Sequence, residues 1–205
     1  MTTQLRLNAH VVCIDGAAGQ LTDVILAPIT EQVTHLVVET PGYGHPRHLV
    51  AVAVLQSSTG PDLHLRCSRA ELEQTEFFTD TETVPFDPSA AWYAADGALA
   101  WPLAFPQVAT MLVEHQRVPP GELAIDRDTP VEASDGPVGH LAAFVLQSND
   151  DRVVDVIVRQ GHLWRQRDVV IPAAAIERID DQAVHLRLSK ARVRALPTIP
   201  PGSAA

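Results

Sequence analysis

The chain is poor in the residues that most often carry chemistry. Cys13 and Cys67 are its only cysteines in 205 residues. They lack CxxC spacing and sit in no His-rich cluster, which argues against a zinc centre or a thioredoxin-type dithiol and for two small buried hydrophobes. Lys190 is the sole lysine, and its Arg-rich neighbourhood does not offer the desolvated pocket a Schiff-base lysine needs. Positive charge as a whole is scarce. Fifteen Lys and Arg against 25 Asp and Glu leave a net charge of −10, which repels phosphate backbones and anionic lipid and makes nucleic acid an unlikely partner. Apolar runs are short, none approaching the ~18 residues of a membrane span. The start of the chain lacks a basic segment followed by an apolar one, so no secretory signal and a cytoplasmic location are expected. Nucleophile elbow, phosphate loop, HExxH and dinucleotide fingerprint are all missing, so neither catalytic residues, nor a metal, nor a cofactor is expected.

What is present is a repeat. A shift of 120 positions superposes Asp15 on Asp135, Gly16 on Gly136, Gly19 on Gly139, Leu21 on Leu141, Leu26 on Leu146, Val33 on Val153, Val38 on Val158, Arg47 on Arg167, Val50 on Val170 and Ala53 on Ala173. After one inserted residue the match resumes, with His64, Leu65, Arg66, Ser68 and Ala70 on His185, Leu186, Arg187, Ser189 and Ala191. Two related modules, residues 1–78 and 125–197, account for this.

Each copy reads as five short strands broken by turn residues. The first hairpin is expected to pair His10–Ile14 with Gln20–Leu26 across a glycine-containing loop, Asp15–Gly19, and the second copy repeats it around Gly136 and Gly139. Later strands are expected at Val33–Glu39, His48–Val52 and Leu63–Cys67, and in the second copy at Val153–Arg159, Asp168–Pro172 and Val184–Leu188. In the fifth strand Leu63, Leu65 and Cys67 alternate with His64 and Arg66, placing Cys13 and Cys67 toward one core. In the third, Leu36 and Val38 face inward, while His35 and Glu39 lie on a face read as solvated. Ser68 and Glu71 have capping-box spacing, and Ser189 keeps the cap, so a helical turn follows each fifth strand.

Residues 79–124 form a connector whose prolines speak against long regular elements. Yet Phe86, Trp92, Tyr93, Trp101 and Phe105, half of the chain's ten aromatic residues, lie in it. It is therefore expected to pack on the modules. Residues 198–205 form a tail.

The pattern resembles the PRC-barrel family, the small barrel of the reaction-centre H subunit and of the C-terminal part of a ribosome maturation factor. The resemblance rests on Gly136, Val138, Gly139 and Leu141, on Val156-Ile157-Val158, and on Val169-Val170-Ile171-Pro172. The first copy supports it with Gly16, Gly19, Leu21, Asp23 and Val24, and with Leu36-Val37-Val38. That copy departs at Ala18, where a larger apolar residue stands in the pattern, and at Val52 in place of proline. The resemblance implies an all-β chain of two small barrels joined by a Pro/aromatic-rich linker with short helical turns. It also implies a docking or assembly role without catalysis.

Candidate protein contacts follow from composition: Leu163, Trp164, Arg165 and Arg167 in the loop after the second copy's third strand, and Tyr43 and His45 in the matching loop of the first. Aromatic residues and arginines of this kind dominate protein interfaces. The expected function is that of an interaction or scaffold protein with protein partners. A module of ~75 residues is marginal alone, so burial against the other module, the connector or a second copy in a homodimer is expected. Two other readings are ribosome assembly, by analogy with the maturation factor, and a metal or enzymatic site built on His45 and His48.

Overall fold

The computed structural model describes residues 2–59, 61–86, 109–161 and 166–199. It is all-β, with 17 strands, two single-turn helices and two short 3-10 turns among the described residues. Among those residues no helix is long and apolar enough to cross a membrane. The chain divides into two compact units: Met1–Phe78 with Val118–Ala205, and Thr79–Arg117.

The first unit holds both repeats. Copy one runs β1 (Thr2–Arg6), β2 (His10–Cys13), β3 (Gly16–Ala27), β4 (Gln32–Glu39), β5 (Arg47–Ala51), β6 (Leu55–Thr59), β7 (Asp62–Leu65) and α1 (Arg69–Glu73). In the smaller unit β8 (Thr79–Phe86) and β9 (Ala109–Gln116) pair antiparallel. Copy two runs β10 (Leu123–Asp126), β11 (Pro130–Ala133), β12 (Gly136–Gln147), β13 (Arg152–Gln160), β14 (Arg167–Pro172), β15 (Ile176–Ile179), β16 (Val184–Leu186), α2 (Lys190–Arg194) and β17 (Thr198–Ile199). Fifteen strands form one continuous sheet whose path runs from β15 to β6 and does not close.

The copies are joined by a reciprocal exchange of their first strands. β1 pairs antiparallel with β12 of the other copy, Leu5 opposite Phe144. β10 pairs with β3, Ile125 opposite Val24. These two pairs are equivalent under the 120-residue shift, so the exchange is symmetric. At its centre the Val33 N–H donates to Asp151 O and the Val153 N–H to Glu31 O, both near 3 Å (3.1 and 2.9 Å). Leu5, Val24, Ile125 and Phe144 are all at most 1% exposed and belong to one aliphatic core that spans both copies. Burying each such side chain contributes ~1.5–3 kcal/mol.

The hairpins are tighter than the glycines suggest. β3 starts at Gly16, so two residues, Ile14 and Asp15, make the turn, and Gly16 takes a φ of 130° there. Gly19 and Gly139 lie inside their strands and do a different job. A Cβ on either would overlap a carbonyl oxygen of the facing strand, that of Glu39 or Arg159. They permit close backbone approach.

The third strands are buried on both faces, not on one. Leu36 and Val38 enter the main core as expected, but Val37 packs with Ile25 and Phe78 in a second cluster, and Ile157 with Ala143 and Val145 in a third. The face read as solvated is covered in the first copy by Phe78, which lies beyond the last strand of its repeat. Both helical turns form, α1 with a complete capping box between Ser68 and Glu71 and α2 with the Ser189 hydroxyl accepting from the Arg192 N–H.

In the smaller unit two eight-residue strands stand where prolines argued against long elements. Pro85 is one residue from the end of β8, and a two-stranded ribbon has a free edge on every strand where a missing N–H is tolerated. Arg117 pairs with Asp80 at 2.8 Å. Trp92, Tyr93, Trp101 and Phe105 lie outside the described residues.

A core shared through exchanged strands melts as one. Leu5→Ala and Phe144→Ala, one in each copy, are each expected to cost ~2–5 kcal/mol and to shift a single cooperative transition followed by circular dichroism. Two resolved transitions, with each substitution moving only one, would show instead that the copies fold independently.

Candidate interaction surfaces

The loop between β4 and β5 presents Tyr43 fully exposed, at 107% of its reference area. Its base is tied down. The Thr40 N–H donates to Pro46 O at 2.9 Å, the His45 N–H to Gly42 O at 3.3 Å, and His45 Nδ1 lies 3.2 Å from Glu39 Oε1. Gly44 and His45 both adopt left-handed backbone, with φ of 81° and 49°. His48, in contrast, is 2% exposed and lies against the Phe77 ring, 5.0 Å between centroids. One imidazole is thus in solvent and the other inside the fold. Among the described residues no group of three or more His, Cys, Asp or Glu is placed to hold a metal ion.

In the second copy Leu163, Trp164 and Arg165 lie outside the described residues. Arg167 opens β14, and its Nε and Nη2 donate to Gln160 Oε1 at 3.0 and 2.8 Å. It lines a cleft of about 250 Å³ with Lys190, Arg194 and Val138. Lys190 is half-buried rather than extended into solvent, because its Nζ lies over Gly136, 2.8 Å from where a Cβ would stand.

A larger cleft, of about 520 Å³, has no counterpart in the sequence reading. The exchanged β1 brings Arg6 and Asn8 of the first copy beside His140, Arg159 and Asp168 of the second. Asp168, 2% exposed, accepts from Arg159 Nε at 2.9 Å and Nη2 at 3.0 Å. This fork holds the Arg159 guanidinium above its ordinary pKa. Burial lowers that of Arg6, with Asp168 opposing and Arg159 adding to the effect. Arg159 and Asp168 face each other on neighbouring strands of one copy, but no signal within that copy could have added Arg6, which the strand exchange brings in. Under the 120-residue shift Arg6, Arg159 and Asp168 correspond to Asp126, Glu39 and His48, so the two arginine positions carry acids in the other copy.

The cysteines are near each other but not bonded. Cys13 is buried, Cys67 half-buried, and their sulfurs are 3.9 Å apart. Burial first, and the neighbouring Cys67 second, push the Cys13 thiol up to about 12.

The chain matches no protein-family model. No curated protein matches it in sequence either.

Two expectations follow from these groups. Arg159→Gln should cost ~1–3 kcal/mol by leaving the buried Asp168 carboxylate unmatched. Asp168→Asn should cost less, because the Arg159 side chain, 41% exposed, can turn to water, and the double variant should cost less than the sum of the two in a denaturation cycle. Full additivity would mean the pair is not coupled. Because the thiolate is the nucleophile, Cys13 should resist iodoacetamide at pH 8 in the native protein and become reactive only as pH climbs toward its raised pKa. Alkylation at pH 8 as fast as in the unfolded chain would contradict that environment.

Proposed function

We propose that the chain is a non-enzymatic interaction protein whose two repeats are PRC-like barrel modules and whose first copy docks a protein partner through Tyr43. The single observation carrying this reading is the tyrosine itself: a fully exposed aromatic ring on a loop whose base is closed by backbone hydrogen bonds and a contact between His45 and Glu39. Tyrosine offers a large, amphipathic contact area at small entropic cost, which is why it anchors interfaces. The family part of the reading is supported by the glycine hairpin and apolar third strand recurring in register in both copies.

The test is affinity capture with the full chain immobilised. Wild-type protein should retain a discrete partner, and Tyr43→Ala should reduce retention about tenfold or more while leaving the melting temperature unchanged, since the ring packs against nothing. Equal retention by both, or a marked loss of thermal stability in the variant, would reject the assignment.

A further inference from the structure

The two copies present the same corner of the fold with different charge balance, and the difference identifies a site. In the first copy Arg47 faces Asp23 at 3.8 Å and Arg69 faces Asp15 at 3.6 Å. The position matching Arg194 there is Glu73. Every cation at that corner is offset. In the second copy one acid is gone and the other does not pair with the cations. Ala143 replaces Asp23. Asp135 accepts the Lys190 backbone N–H at 2.7 Å, as its counterpart Asp15 accepts that of Arg69 at 2.9 Å, but it makes no ion pair with the Lys190 side chain as Asp15 does with Arg69. Among the described residues neither Lys190 nor Arg194 has an ion pair, and no acid lines the cleft they share with Arg167.

Three cations around a concavity of about 250 Å³ repel one another, and the repulsion is relieved by an anion between them. Two of the three are also held in place. Gln160, itself 8% exposed, fixes the Arg167 guanidinium, and the Lys190 ammonium uses the space that glycine leaves at position 136. In a chain of net charge −10 such an unbalanced cluster is not average surface. The fold does not require it either, because the first copy builds the same corner with the charges neutralised.

We propose that this cleft binds a phosphate-type oxyanion, either a free ion or the phosphate of a small organic ester. The Arg194 guanidinium supplies a planar donor pair, Arg167 the donors that Gln160 leaves free, and the ammonium a point charge, a combination that suits tetrahedral oxyanions. The cleft has room for a phosphoryl group and not for a folded partner. This site is in the second copy and does not depend on the Tyr43 reading.

Titration calorimetry on the full chain in low-salt, phosphate-free buffer tests it, with inorganic pyrophosphate as the probe and a nucleoside diphosphate in a parallel arm. Wild-type protein should show saturable one-site binding. Lys190→Gln and Arg194→Gln should each weaken it about tenfold or more. Arg69→Gln, at the neutralised corner, should leave it within about twofold. Equal affinity in the two arms assigns recognition to the phosphate group alone, and tighter nucleotide binding assigns it to an organic ester. Absence of saturable binding by folded wild-type protein, or an Arg69→Gln loss as large as that of Lys190→Gln, overturns the proposal.

Discussion

The exchange of first strands is the constraint on which the rest of the larger unit depends. β3 and β12 are each 12 residues long, and neither is fully paired within its own copy. The first half of each pairs with its own hairpin partner, β2 or β11, and the second half with the strand borrowed from the other copy. Without β1 and β10, the later halves of both long strands would expose a row of backbone donors and acceptors beside a stripe of fully buried aliphatics. Copies of this size have little core of their own. Sharing Leu5 and Ile125 gives each one a covered edge and a fuller interior.

Symmetry in the backbone leaves the side chains free to differ, and they differ mostly in charge. Where the hairpin glycines approach a facing carbonyl, both copies keep glycine, because any Cβ would collide. Where a strand residue faces the main core, both copies keep apolar residues, as with Val24 and Phe144. Outside these places the equivalences break: Arg6, Arg159 and Asp168 correspond to Asp126, Glu39 and His48. Backbone pairing tolerates both sets equally, so their electrostatics are not a by-product of folding. Each copy can therefore carry its own surface chemistry on a common frame.

Much of this was legible in the sequence, and the illegible part has a physical cause. Alternation in Leu63-His64-Leu65-Arg66 and the repeat of Gly16 and Gly19 at Gly136 and Gly139 located strands and hairpins, and Ser68 with Glu71 located a helix start. These signals are local. The first strands escaped notice because Thr2–Arg6 and Leu123–Asp126 are short and only weakly alternating, and their partners lie in the other copy. Distance along the chain within one copy had a similar effect on the third strand, where His35 and Glu39 seemed to define an open face. The cover over Val37 comes from Phe78, more than forty residues along the chain, which no periodicity within β4 could reveal. Among the candidate contacts Tyr43 was singled out by the aromatic composition of its loop, whereas the joining of Arg6 to the larger cleft was hidden by the exchange.

The exchange also bears on where ligands and partners can act. A cleft assembled from Arg6 of one copy and Arg159 of the other exists only while the copies are engaged, so anything bound there would stabilise the exchanged state by mass action. The corner formed by Arg167, Lys190 and Arg194 and the loop carrying Tyr43 each belong to one copy, and occupation of either would leave the exchange untouched. Single-copy surfaces diverge without cost to the frame, while the cleft between the copies is tied to it. Charge differences at single-copy corners are accordingly the better guide to acquired binding, and the neutralised corner of the first copy serves as an internal reference for the second.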